Sequence, residues 1–310
     1  MKKGPDILRI TSLTQQHSIL GLKKPEHPLI SIHKFEDFHV IPNEGTVRFI
    51  NEFYTISIKK GYGSKVQYGQ TYYDFDEGAM SFISAGQILL QDGDFIPPGG
   101  GWLLSFHPDL LKGHALSQKI KSYGFFHYAV NEALILSEKE QTAIVQILKI
   151  IQNDYRLPID DLSNDLIVAQ LELLLIYCDR YYKRQFNTRK TNSAEILTRM
   201  EILMADYFMS NRCAEQGAPT VTWISEQLGI SPKYLSDLLR NLTGESAQQH
   251  IQNKVIEKAK ELLLTTNLTI SEIAYQLGFE YPQSFNKGFR KRVDMTPLKF
   301  RQSTERPLIN

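Results

Sequence analysis

Two cysteines, Cys178 and Cys213, are too few for a disulfide framework, so core packing has to hold the chain together. A charge of one sign is missing too: 35 Lys and Arg stand against 34 Asp and Glu, a formal balance of +1. The whole-chain charge therefore announces no nucleic-acid partner, and any basic surface has to be local. Long apolar runs are absent. The longest, LELLLIYC at 171–178, is broken by Glu172 and falls far short of the roughly 20 residues that a bilayer span needs. The opening MKKGPDILRITSLTQQ has no apolar stretch of signal-peptide length. These absences lead us to expect a soluble cytoplasmic protein without a membrane partner.

What is present is ordinary globular composition. The chain has 310 residues, of which 42% are hydrophobic, 22% charged and 11% aromatic. That excludes a disordered, collagenous or low-complexity chain and leaves room for two domains of roughly 100–200 residues each. From 29 to 106 the text is short and β-rich (LISIHKF, TVRFINEFYTISIKK, KVQYGQTYYDF, AMSFISAGQILL, GWLLSF). Turn chemistry separates these runs: GYGS at 61–64, DEG at 76–78, QDGD at 91–94 and PPGGG at 97–101. An antiparallel sandwich or small barrel is expected, whereas 107–136 shows no clear period.

At Ser137 the texture changes. Ser137 and Glu140 form a capping box, and Ile144, Ile147, Leu148 and Ile151 follow at helical spacing before Pro158. A second helix is expected over 163–186, with Leu166, Ile167, Ala169, Gln170, Leu173, Leu174 and Tyr177 on one broad side. Such a hairpin has to bury that surface against the β-domain, a partner subunit or both, which makes it the candidate dimerisation element. The polar stretch 181–193 reads as a linker. The expected organisation is α+β: a sensor β-domain over 1–136, an αα-hairpin over 137–190 ending in the linker, and an all-α domain over 191–310.

The last part carries an internal duplication. TVTWISEQLGISPKYLSDLLR (220–240) aligns with TISEIAYQLGFEYPQSFNKGFR (269–290), with one extra turn residue in the second copy. Each copy has a threonine N-cap (Thr220, Thr269), a short helix with a small residue at its middle (Ser225, Ala274), a glycine turn (Gly229, Gly278) and a second helix. Those are the parts of a helix-turn-helix, whose second helix enters the major groove. The candidate DNA-binding residues are Lys233, Tyr234, Ser236, Asp237 and Arg240 in the first unit. In the second they are Gln283, Ser284, Asn286, Lys287, Arg290 and Lys291. Gln and Asn can pair bidentately with adenine, Arg and Lys with guanine or phosphate, and Asp accepts from cytosine. A helix over 246–264, about 28 Å long at 1.5 Å per residue, joins the copies and is close to the ~34 Å between successive major-groove faces. Residues 281–310 hold Lys287, Arg290, Lys291, Arg292, Lys299, Arg301 and Arg306 against Asp294 and Glu305, a local basic patch.

At these residues the sequence resembles the AraC/XylS family of transcription regulators. The pattern is carried by Ala259, Leu262 and Leu263, then Ile270, Glu272, Ile273, Ala274, Gly278 and Phe279. Ser284, Phe285, Phe289, Arg290 and Lys291 continue it, and Thr296, Pro297, Phe300 and Arg301 close it. The resemblance covers about 110 residues. It departs from the family at Val255, where Arg is frequent, at Asp294, which replaces a Gly, and at Gly288 inside the second recognition helix. The family implies a cupin-like antiparallel β-barrel ahead of two helices, a small-molecule effector, a homodimer, double-stranded DNA and RNA polymerase as partners, and no cofactor.

The alternative is a cupin-type metal-dependent enzyme. That chemistry needs clustered ligands such as His-x-His, whereas His33, His39, His107, His114 and His127 are scattered. PPGGGW at 97–102 is similar to an oxyanion-loop glycine cluster, but no Gly-x-Ser-x-Gly supplies a nucleophile. No catalytic residue and no metal is expected. Tyr54, Tyr68, Phe82 and Trp102 are candidate linings of an effector site in the barrel, a filled and ligandless core being the other reading.

Overall fold

The computed structural model describes residues 7–43, 45–60, 66–68, 71–73, 78–129, 132–158, 160–188, 190–210 and 212–304. Two units emerge, Met1–Gln185 and Phe186–Asn310. The expected GYGS turn, most of the DEG turn, Glu305 and Arg306 lie outside the described residues, as does the side chain of Tyr68.

In the first unit the strands are β1 Ile7–Ile10, β2 Ile30–Lys34, β3 Thr46–Asn51, β4 Tyr54–Lys60, β5 Val66–Tyr68, β6 Thr71–Tyr73, β7 Ala79–Ile83, β8 Ile88–Asp92, β9 Gly100–Phe106 and β10 Leu134–Ile135. They form a five-stranded sheet in the order β10-β7-β4-β9-β2, a three-stranded sheet β1-β3-β8 and a ribbon β5-β6. Helices α1 Leu13–Leu20, α2 Leu116–Lys119, α3 Glu138–Asp154 and α4 Ser163–Thr188 complete the unit, α4 running a few residues past its end.

The expected closed barrel is corrected here: the sheets are open. The free edges of the larger sheet are taken by side chains, not by further strands. At the β2 edge, the Ile32 amide donates to Tyr155 Oη at 3.2 Å, and the Gln152 side-chain amide donates to the Ile32 carbonyl at 2.9 Å. At the β10 edge, the Ile135 amide donates to Gln185 Oε1 at 2.8 Å and Arg184 donates to the Ile135 carbonyl at 2.7 Å. An edge whose backbone groups are satisfied in this way has nothing left to pair with a closing strand. Arg184 also bonds Glu140 of the Ser137 capping box, which forms as expected. Residues 181–186 are therefore helical and largely buried, not the linker that their polarity suggested, and α5 Lys190–Met209 follows at once.

One face of the larger sheet is an aromatic core. Tyr54 stacks on Phe106 with ring centroids 5.2 Å apart, and Phe82 lies 4.5 Å from Phe125 and 5.9 Å from Tyr182 of α4.

In the second unit, α5 and the short α6 Arg212–Gln216 precede α7 Val221–Leu228, α8 Pro232–Thr243, α9 Ala247–Thr265, α10 Ile270–Gln276, α11 Pro282–Val293 and α12 Pro297–Thr304. α9 is common to two packed groups. Its Ile256, Ala259, Leu262 and Leu263 share a core with Ile273, Ala274 and Leu277 of α10 and Phe285 and Phe289 of α11, while other parts of it contact α5, α7 and α8. Val255, one of the departures from the family pattern, is buried, where an apolar side chain suits the site better than a cation.

Candidate nucleic-acid interface

Each helix-turn-helix starts on a cap that the sequence specifies. Thr220 Oγ1 accepts from the Trp223 amide at 3.1 Å and opens α7. Thr269 and Glu272 exchange bonds of 2.7 and 3.2 Å to open α10, and the Thr269 amide, followed by its hydroxyl, holds the Glu272 carboxyl below its usual range. Ser225 and Ala274, the small residues at the middle of each first helix, are both buried, Ala274 in the core shared with Phe285 and Phe289 of α11. Gly229 and Gly278 turn the chain at φ of 71° and 82°. At Gly278 the approach is also close: a Cβ there would lie 2.5 Å from the Gly217 Cα, so only glycine fits.

The turns deliver α8 and α11. On α11, Phe285 and Phe289 are fully buried, which leaves Gln283, Ser284, Asn286, Lys287, Arg290 and Lys291 exposed on the other side. Two amides, a hydroxyl and three cations thus share one accessible face, the combination that reads base edges and holds phosphates. Pro282 fixes the first turn, and Tyr281, at the N-cap, is 60% exposed beside that face. Tyr281 is absent from the candidate residues because the expected reading head starts at Gln283; Pro at the first helical position is the signal that the helix opens one residue earlier. A Cβ on Gly288 would meet nothing within 4 Å, so its lack of a side chain is not a packing requirement. Of the basic patch, Arg292 is bonded to Gln252 of α9, and Arg301 donates from Nε to the Leu263 carbonyl at 3.0 Å. These two tie α11 and α12 to α9.

α8 is different. Tyr234 is buried, its ring 5.3 Å from Phe186, which corrects its assignment as an exposed reading residue. A position one turn into an amphipathic helix can fall on either flank of the apolar stripe, and an aromatic ring gains by burial. Asp237 Oδ1 accepts from Lys233 Nζ at 2.8 Å and lies 3.3 Å from Arg240 Nη1. Pairs three or four residues apart on a helix contribute only about 0.3–0.5 kcal/mol, so the consequence is electrostatic more than stabilising. Two cations and one carboxylate leave this face with +1, against +3 from Lys287, Arg290 and Lys291 on the accessible face of α11. Ser236 is half-buried and Arg240 exposed.

The described residues expected to line an effector site do not line the cavity of this unit. A cavity of about 340 Å³ in the first unit is lined from both main sheets, and Tyr54, Phe82 and Trp102 are not in its wall. Their strand neighbours are: Thr55, Ser57 and Lys59 on β4, Ser81 and Ile83 on β7, and Leu103 on β9. Because side chains alternate along a strand, the expected residues lie one step out of phase, Tyr54 and Phe82 in the aromatic core and Trp102 under Lys34. Among the described residues, no three His, Cys, Asp or Glu side chains cluster as metal ligands do, and no helix is long and apolar enough to cross a membrane.

Residues 224–303 match the family described as helix-turn-helix domain. An uncharacterized HTH-type transcriptional regulator of Bacillus subtilis, YfiF, is 31% identical over 140 residues, 45% of this chain and 41% of its own length. The HTH-type transcriptional activator RhaS of Escherichia coli O139:H28 is 25% identical over 181 residues, 58% of each chain. The chain therefore spans less than two thirds of both relatives. Among solved structures, the C-terminal domain of the two-component response regulator yesN from Fusobacterium nucleatum is 36% identical, covering 33% of this chain and 96% of that one, with a TM-score of 0.29.

Proposed function

The C-terminal helices form a helix-turn-helix domain of the AraC/XylS type, and from that premise we propose that the protein is a sequence-specific transcription regulator that binds the major groove of double-stranded DNA. One observation carries the reading: α11 turns Gln283, Asn286, Lys287, Arg290 and Lys291 outward while its phenylalanines anchor it to α9. Gln283 and Asn286 read bases, and Lys287, Arg290 and Lys291 hold phosphates or guanine. Tyr281 adds a hydroxyl within the same reach.

The test is a salt-titrated binding series of the full chain on its selected duplex and on single-base variants. Lys291→Ala weakens binding on every sequence alike and lowers the salt slope by about 1. Gln283→Ala costs about 1–3 kcal/mol and relaxes preference at one base pair. Uniform losses for both variants would remove Gln283 from base readout, and a full chain without salt-dependent duplex binding would end the regulator reading.

Two further assignments belong to the first unit. Its cavity receives a small-molecule effector, which is supported by a volume at the small end of ligand sites and by an apolar wall with a few polar groups. The protein is also a homodimer. Leu166, Leu173 and Ile176 form one stripe along α4, each about half exposed, while Ile167, Leu171, Leu174 and Leu175 already cover the unit's own core. In sedimentation velocity at micromolar concentration the wild type runs as a dimer and the Leu166→Glu, Leu173→Glu double variant as a monomer; a monomeric wild type would refute the assignment.

A further inference from the structure

The wall of the cavity between the two sheets is hydrocarbon for the most part: nine Leu, Ile and Val residues and four phenylalanines line it, so whatever fills it is mainly apolar. Most of its polar side chains are spent on the protein itself. Gln16 donates to Ser105 Oγ at 3.1 Å, Asn43 Nδ2 donates to the Gly45 carbonyl at 2.8 Å, and the Ser57 and Ser81 hydroxyls lie 2.6 Å apart. Lys59 and Gln91 have partners as well. Two atoms are left over. Asn51 Oδ1 and Thr55 Oγ1 are buried without a hydrogen-bond partner among the described residues, and both residues, 6% and 5% exposed, line the cavity. They flank the crossing from β3 to β4. Along the cavity side of β3, Val47 and Phe49 are half-buried and Asn51 is buried, so the orphaned pair lies at the deep end of a track about 13 Å long at 3.3 Å per residue. Buried oxygens left in this state carry a desolvation cost that a donor in the cavity relieves.

We propose that this cavity binds a neutral aliphatic alcohol, its hydroxyl at Asn51 and Thr55 and its hydrocarbon body along β3 toward Val47. The inference rests on reading the first unit as the effector-binding part. The inventory of donors and acceptors selects the head group. Asn51 Oδ1 only accepts, so the ligand has to donate, and a hydroxyl donates to it while accepting from Thr55 Oγ1. An ether, ester or ketone has nothing to donate, and an ionised carboxylate only accepts. An amine would enter as an ammonium, and among the described residues no carboxylate lines the wall to receive it. A sugar would leave most of its hydroxyls against hydrocarbon, a cost that one satisfied pair of oxygens cannot offset.

The experiment uses the full chain and three probes, with affinities from calorimetry: 1-octanol, its methyl ether, which keeps the oxygen but cannot donate, and octanoate. The alcohol binds at least tenfold tighter than either analogue. Asn51→Leu and Thr55→Val each lower the affinity for the alcohol toward that for the ether and leave the ether's own affinity unchanged. An ether or an octanoate that binds the wild type as well as the alcohol overturns the proposal without any variant having to fold. A parallel thermal-shift panel of sugars, amines and aromatic acids separates the two levels, since a ligand of the folded state raises the melting temperature. A compound of that panel whose stabilisation is lost in the cavity-filling Ser57→Phe variant, with no response to the alcohol, keeps the effector reading and rejects the alcohol. No response to any compound, the three probes included, overturns both.

Discussion

At the scale of single residues, titration is decided by burial. His33 sits on β2 with Nε2 3.1 Å from His17 Nε2, and His17 Nδ1 is 2.6 Å from the Lys23 carbonyl. Desolvation, followed by the neighbouring His17, lowers the His33 pKa to about 4 from 6.5, with Asp37 and Glu26 opposing. The folded chain therefore refuses a proton that the unfolded chain accepts between pH about 6.5 and about 4. Stability is complete above that window and is lost as pH falls through it. The wild-type melting temperature should drop from pH 7 to pH 4.5 by more than that of His33→Gln. Equal drops in the two proteins would show that the ring carries none of the acid sensitivity.

At the scale of elements, what the sequence revealed depended on how local the signal was. The duplication was legible because caps, glycine turns and helix faces are set within about 20 residues, so Thr220, Thr269, Gly229 and Gly278 could be read directly. The strand phases were not. Thr55, Ser57 and Lys59 look like the solvent side of β4 beside Tyr54, Ile56 and Ile58, but the polar side faces a cavity closed by a second sheet. Nothing within β4 says that β3 and β8 will stand opposite. Arg184 and Gln185 misled for a related reason: their polarity is spent on a strand edge some fifty residues away in sequence. One local departure leads to a prediction. Asp294 ends α11 at φ 56°, the only non-glycine residue with positive φ among the described residues. The left-handed conformation costs an ordinary L-residue about 1–2 kcal/mol, somewhat less for Asp. Asp294→Gly should therefore stabilise the protein by up to about 1 kcal/mol in chemical denaturation, and removal of an acid beside a basic helix should not weaken duplex binding. A destabilised variant would mean that the aspartate side chain contributes more at this cap than its backbone costs.

At the scale of the molecule, the question is how one chain can engage two turns of a duplex. α9 has 19 residues, about 28 Å, and its buried residues are shared with both helix-turn-helix groups, so it behaves as a strut and not as a tether. A flexible linker would lose affinity gradually as two half-sites are moved apart, since its effective concentration falls slowly with distance. A strut has one working distance. The charge difference between α8 and α11 predicts an order: α11, whose exposed cations have no acid partner among the described residues, should supply most of the salt-dependent affinity, and α8, where Asp237 offsets Lys233 and Arg240, should depend on being placed by it. The selected site should therefore contain two half-sites with centres about 10–10.5 base pairs apart. Inserting five base pairs between them puts the second half-site on the wrong face. Inserting ten restores the face but exceeds the strut. Both insertions should reduce affinity to the level of a duplex carrying only the α11 half-site, with the salt slope of that half-site retained. Recovery of affinity with the ten-base-pair insertion would show that α9 bends or melts on DNA, and equal dependence on either half-site alone would show that the charge difference between the two reading helices does not order their binding.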